Sequence, residues 1–183
     1  MRVLDITFAV IGIILLLPIM LVISVLIKFT SNGSVTFHHK RVGRHCRTFN
    51  CLKFRSMVTG ADRIGSYMTA KNDSRITPFG SFLRKYSLDE LPQLFNVLLG
   101  HMSLVGPRPD TPMQLDIYSE EEKELRHSIR PGITGLAQVR ARHVATNKNR
   151  LRYDLFYVRK QSVALYFWII YKTIVNLITK ESY

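Results

Sequence analysis

The sequence predicts an α+β protein, mostly helical, with a membrane segment at its N-terminus and one small domain after it. Three observations lead there. From Ile6 to Ile27 no residue is charged, and nearly every position is Ile, Leu, Val, Phe, Ala or Met. Two strand-like runs, VTFHHKRV (35–42) and TFNCLKFR (48–55), flank a turn that starts at Gly43 and read as a β-hairpin. Beyond them, apolar residues recur at helical spacing between Gly- and Pro-rich loops.

An uncharged helix over 6–27 would be about 33 Å long, close to one hydrocarbon thickness. A signal peptide fits poorly, because the apolar core is too long and no small-residue cleavage site follows. Pro18 sits in the middle. Its ring clashes with the preceding turn and removes a hydrogen bond, so a kink between Ile14 and Pro18 is expected. Each arm would then reach about 17 Å, enough to enter the bilayer and return. Prolines are also tolerated in spanning helices, so a kinked span is the equal alternative. Arg2 precedes the segment, and Lys28, Lys40, Arg41 and Arg44 follow it. Under the positive-inside rule either geometry leaves the large domain cytoplasmic. The expected division is 1–30 membrane helix and 31–183 cytoplasmic, membrane-associated domain.

With 183 residues the chain can hold one domain with a proper core. Its 26 Lys and Arg against 13 Asp and Glu give +13, which points to an anionic partner: nucleic acid, acidic lipid or phosphorylated small molecules. Cys46 and Cys51 suit a reducing compartment. The nearby His38, His39 and His45 form no zinc spacing with them.

Thr77-Pro78 reads as an N-cap followed by proline at the first helical position, with Phe79, Phe82, Leu83 and Tyr86 as the apolar stripe. The next stretch, SLDELPQL (87–94), fits a capping box at Ser87 and Glu90, with its helix ending near Gly100. Pro92 would suit a helix starting a residue or two later than the box implies. SLVGPRPDTP (103–112) is expected to be an ordered loop. A charged helix is expected near 113–127, with a capping box at Ser119 and Glu122. RPGITGLAQV (130–139) reads as a loop running into a short strand. Helices are expected at 147–161 and 163–178, the second apolar and aromatic but short for a span, hence interfacial or packed in the core.

Arginine punctuates the Gly/Pro loops: Arg84, Arg108, Arg130, Arg140 and Arg142. Its planar fork of donors suits phosphate oxygens. Any one of these arginines taken alone is better read as a solvated surface charge. Together, beside a membrane segment, they point to a phosphate pocket. In such a pocket Asp89 and Glu90, projecting about 100° apart on a helix, would take separate tasks. One carboxylate could attack phosphorus and the other could hold Mg²⁺ with phosphate oxygens.

The chain resembles the bacterial monotopic phosphoglycosyl transferases, the bacterial sugar transferase family. The resemblance rests on KFRSM (53–57), NDSRITPFGSFLRKYSLDELPQLFNVLLGHMSLVGPRP (72–109), RPGITGLAQV (130–139) and YDLFYV (153–158), in one order along almost the whole chain. It implies transfer of a sugar-1-phosphate from a UDP-sugar to a polyprenol (undecaprenyl) phosphate, with release of UMP, as the first membrane step of a surface glycan. It implies Asp89 as nucleophile, through a phosphosugar–aspartyl intermediate, and Glu90 as a ligand of Mg²⁺. Arg84 and Arg108 would neutralise phosphate, with Arg130, Arg142, Lys53 and Gln138 as further substrate contacts. It also implies a re-entrant helix broken near Pro18, a catalytic domain on the cytoplasmic face of the inner membrane, and interfacial helices. His101, Tyr166 and RARH (140–143) depart from the family pattern, the last where the sugar nucleotide might be read. A homodimer is a possible assembly. A nucleic-acid-binding role is disfavoured, because the basic residues are spread among loops rather than along one helix.

Overall fold

A computed structural model describes residues 1–61, 73–140 and 146–179. Helix α1 (Arg2–Thr30) is a single helical element with Pro18 inside it, on the outward face. Asp5, Ala9, Met20, Ile23 and Ile27 are buried along one side, and Ile13 and Leu16 pack on the core between them. These positions recur at three- and four-residue steps, one stripe of a 3.6-residue helix. The opposite side exposes Ile11, Ile14, Leu15, Leu21, Val22 and Phe29. The helix is long and apolar enough to cross a membrane. Unlike a soluble core helix, it leaves most of its apolar surface bare.

The same domain holds α1 at both ends. Arg2 donates to the carbonyls of Val97 (2.7 Å) and Leu98 (3.1 Å). Asp5 is 2 % exposed and accepts from Ser103 Oγ (2.8 Å), Leu104 N–H (3.0 Å) and Tyr166 Oη (2.9 Å). At the far end Arg55 donates to the carbonyls of Ser31 (2.8 Å) and Asn32 (2.9 Å).

The expected hairpin forms from β1 (Thr36–Val42) and β2 (Thr48–Phe54), antiparallel. Its register pairs Phe37 with Lys53, His39 with Cys51 and Arg41 with Phe49, so these six side chains share one face. Helix α2 (Pro78–Lys85) starts as expected, with Thr77 Oγ1 accepting from Gly80 N–H (2.9 Å). A Cβ on Gly80 would lie 2.0 Å from the carbonyl oxygen of Ser56, so only glycine lets α2 cross the end of the hairpin this closely. Helix α3 (Gln93–Leu98) follows, and its Asn96 fastens β2 by accepting from Leu52 N–H and donating to the Asn50 carbonyl, both at 2.8 Å. Gly100 ends this region with a φ of 84°.

A second sheet was not expected. β3 (Ser103–Val105) lies within the presumed loop and pairs in parallel with β4 (Gly132–Thr134). Both strands are three residues long, too short to show alternation, and only tertiary pairing creates them. The expected strand at Gln138-Val139 is instead part of helix α5 (Leu136–Arg140). The charged stretch after 112 divides into a 3₁₀ segment, Pro112–Ile117, and helix α4 (Glu120–Arg126), because the Ser119–Glu122 capping box starts a new helix there. Helices α6 (Asn147–Arg159) and α7 (Val163–Ile178) complete the chain close to their expected bounds. Of the two family departures among these elements, Tyr166 supplies one of the hydrogen bonds to Asp5, and the His101 ring lies 5.6 Å from that of Phe49.

Replacing Asp5 by Ala strands two hydroxyls and a backbone N–H in the interior. We expect a loss of about 3 kcal/mol, a fall in Tm of roughly 6–12 °C, read by thermal unfolding in detergent. Asp5→Asn, which keeps one acceptor oxygen, is expected to lose less.

Candidate active site

The acidic pair is presented by a turn, not by a helix. Ser87 adopts the left-handed conformation (φ 55°, ψ 22°) and makes no capping bond, so the expected Ser87–Glu90 capping box does not form. A 3₁₀ turn, Leu88–Glu90, follows, and α3 starts only at Gln93 after Pro92. The reason is steric and local: Ser87 reverses the chain after α2, and Pro92, which lacks an N–H, suits the entrance of the later helix. The helix starts late, as Pro92 suggested.

The turn carries the two carboxylates into different surroundings. Asp89 is 7 % exposed, and burial pushes its carboxyl above the ordinary range despite the nearby Lys53 and Arg84. Burial opposes ionisation of Glu90 as well. There Arg108 and Lys53 outweigh it and bring the group down to about 2. The contacts explain the difference: Glu90 Oε1 accepts from Lys53 Nζ at 2.6 Å and from Arg108 Nη2 at 3.0 Å. Glu90 is thus a fixed anion, while Asp89 is a poorly solvated and more basic one. Arg84, whose Nε donates to Ser56 Oγ (2.9 Å), stands on the Asp89 side.

Arg108 comes from the loop after β3, and that loop is pinned from below. Buried Arg126 pairs with Asp110 and with Asp154 (2.9 Å), and its Nη2 donates to the Arg108 carbonyl (2.9 Å). Val42 N–H donates to the Asp110 carbonyl (2.8 Å), joining the loop to the hairpin. Backbone packing adds to this, since a Cβ on Gly132 would meet Gly106 N at 2.1 Å. The loop is rigid while the Arg108 side chain is half exposed.

A small pocket results, lined by Arg41, Cys51, Lys53, Glu90, Gln93, Arg108 and Pro109. Of the residues expected at the site, the structure brings together Lys53, Arg84, Asp89, Glu90 and Arg108. Arg130 does not line the pocket; its Nε donates to the Gly100 carbonyl (2.7 Å) after the end of α3. Gln138, on α5, buries both amide atoms, which have no hydrogen-bond partner among the described residues, and does not line the pocket. Arg142 lies outside the described residues. Sequence reading missed Arg41, Gln93 and the Arg126–Asp110–Asp154 cluster. The hairpin register could have found Arg41, two positions from His39 and on the Lys53 face. Nothing local marks Arg126 among the charges of α4.

Among the described residues no three His, Cys, Asp or Glu side chains gather as a metal cage. That donor set still suits Mg²⁺, which prefers one or two carboxylates and phosphate oxygens. Lys53 Nζ and Arg108 Nη2 both reach Glu90 through Oε1, so its other oxygen could take such a role.

A match to the bacterial sugar transferase family spans residues 1–180. The chain belongs to that family. As a bacterial sugar transferase it is 42% identical to the exopolysaccharide production protein PSS of Rhizobium leguminosarum bv. phaseoli, over 98% of this chain and 95% of that one. It is 38% identical to the exopolysaccharide production protein ExoY of Sinorhizobium fredii, over 93% of this chain and 81% of ExoY. It is 44% identical to the UDP-glucose:undecaprenyl-phosphate glucose-1-phosphate transferase of Xanthomonas campestris pv. campestris, over 97% of this chain but only 38% of that longer protein.

Glu90 has a folded pKa below its ordinary value of 4.5, so its ion pairs favour the folded state fully above about 4.5 and lose effect as pH falls toward 2. The stability gap between the native chain and Glu90→Gln is therefore expected to stay constant from pH 8 to 5 and to shrink below 4.5. Denaturant melts across that range check it.

Proposed function

We propose that this transferase moves a sugar-1-phosphate from a UDP-sugar to a polyprenol phosphate, in two displacements through Asp89. The observation that carries this reading is a buried, basic carboxylate beside a fixed anion, inside a cluster of Lys53, Arg84 and Arg108. In the first displacement an Asp89 carboxylate oxygen attacks the sugar-bearing phosphorus of the donor. The bond from that phosphorus to the bridging oxygen breaks, and UMP leaves with the electron pair. In the second, a phosphate oxygen of the polyprenol phosphate attacks the same phosphorus. The acyl-phosphate bond breaks, Asp89 returns as a carboxylate, and a polyprenyl diphosphate sugar is formed.

Burial makes Asp89 a better nucleophile than a solvated aspartate, because it loses hydration before it reacts. Lys53 and Arg108 counter charge on the phosphoryl oxygens, where placement rather than covalent chemistry does most of the work. Mg²⁺ would be held by Glu90 with donor phosphate oxygens and would supply further charge neutralisation there. The names of the relatives support the donor and acceptor classes, and two of them support an extracellular polysaccharide as the destination.

The acceptor keeps its tail in lipid, so the domain must sit at the bilayer. We place α1 as a re-entrant helix whose two ends lie on the cytoplasmic face. In support, one domain grips both Arg2–Asp5 and Ser31–Asn32, which a span would place on opposite sides. Pro18 lies on the outward face of α1, where its ring clash and missing N–H would favour a bend convex toward lipid. Exposed Phe167, Tyr171 and Ile174 on α7 suit an interfacial helix.

Asp89→Asn is expected to abolish UMP release from UDP-sugars in the presence of polyprenol phosphate, with the protein still folded and membrane-bound. Substantial turnover by that variant would remove Asp89 as nucleophile. A single cysteine placed near residue 2, with Cys46 and Cys51 replaced by Ser, is expected to resist an impermeant thiol reagent added from the periplasmic side. Labelling there would mean a span.

A further inference from the structure

We infer that Arg41 is a further phosphate-binding cation of this site, taking the diphosphate of the nucleotide-sugar donor, and that His39 is its positioning residue. This rests on the donor reading above. Two buried or half-buried arginines stand on either side of one loop. Arg126 sits beneath the Arg108 loop and is met by two carboxylates, Asp110 and Asp154. Arg41 approaches the same loop from the hairpin and meets none: among the described residues no carboxylate lies within ion-pair distance of it. Its Nη1 donates to the Pro109 carbonyl (3.1 Å) and its Nη2 to His39 Nδ1 (3.3 Å).

A half-buried cation without a counter-ion is costly unless a ligand completes it. Burial and then the nearby Arg108 lower the affinity of Arg41 for its proton, outweighing the opposing pull of Cys51, Asp110 and Glu90, none of which is hydrogen-bonded to it. Arginine nonetheless stays charged at any working pH. Within the pocket, Arg41, Lys53 and Arg108 surround the single anion Glu90. The wall is short of negative charge by the amount a diphosphate would bring. A planar guanidinium with one donor of each Nη anchored still has N–H groups left to face phosphate oxygens.

His39 explains why the charge stays uncompensated. Arginine can only donate, so Nδ1 of His39 accepts and its proton is on Nε2. Burial first, then Arg41, Lys53 and Arg108, pull His39 down to about 4, so the ring is neutral. A neutral acceptor fixes the guanidinium without cancelling its charge. An aspartate at the same place would fix it as well and would cancel it.

That contrast gives the test. Binding of UDP, and of uridine as a probe lacking phosphates, is measured by calorimetry on the full chain in detergent, with Tm recorded for each variant. Arg41→Gln is expected to weaken UDP at least tenfold and leave uridine unchanged, and Arg41→Lys to recover part of the loss. His39→Asp is expected to weaken UDP at least fivefold while keeping or raising Tm, and His39→Gln to regain most of that affinity. A purely structural Arg41 predicts the reverse for His39→Asp, a firmer contact and undiminished UDP binding. Native affinity for UDP in Arg41→Gln, or in His39→Asp should the first variant not fold, overturns the inference and leaves the donor reading intact. No UDP binding by the native chain overturns both.

Discussion

Glu90 Oε1 is shared by Lys53 of β2 and Arg108 of the loop after β3, so one oxygen joins three separate segments of the chain. The turn that carries Asp89 is placed by this contact, because the residue next to Asp89 is clamped from two directions. The turn is short and begins with a left-handed Ser87, so little in its own backbone would keep Asp89 aimed. Glu90 therefore has a structural task whether or not it also faces a metal ion. Its ionisation is what makes the clamp strong, and the two cations secure that ionisation.

The loop bearing Arg108 shows how the fold spends carboxylates unevenly. Asp110 and Asp154 are both committed to Arg126, beneath the loop and away from the pocket. Removing Arg126 would leave two buried carboxylates without that partner, a change that typically costs about 3–5 kcal/mol. Above the loop Lys53, Arg41 and Arg108 outnumber the single Glu90. Arg126 is neutralised from within the scaffold, whereas the residues lining the pocket carry more positive than negative groups. Burial alone does not separate the two groups, since Arg41 and Arg126 are both substantially removed from water.

Helix α1 belongs to the domain as much as to the membrane. Its buried stripe closes two of the three core clusters, against Leu94, Val97 and Met102 at one end and against Phe54 and Leu83 at the other. Asp5 reaches Ser103 and Leu104 at the start of β3, three residues before the loop that carries Arg108. The long apolar helix and the Arg108 loop thus share a strand. A helix apolar enough to cross a membrane that is also a core helix fixes the pocket's position relative to its own exposed apolar face.

Periodicity and capping chemistry marked the long helices, the hairpin and the caps at Thr77 and Ser119, while the resemblance to the family picked out the acidic pair with Lys53, Arg84 and Arg108. These are local signals, or motifs carried in a long ordered run of sequence. Tertiary structure decided the rest. The Ser87 capping box was plausible locally but gave way to a left-handed turn that brings Glu90 to the hairpin and loop. Strands β3 and β4 exist because two three-residue segments meet, nearly thirty residues apart in the chain. Arg130 and Arg126 look like Arg108 in sequence, and only the tertiary structure gives them their different partners, the Gly100 carbonyl and the Asp110–Asp154 pair. An arginine's role depends on which oxygens surround it, and those oxygens come from distant parts of the chain.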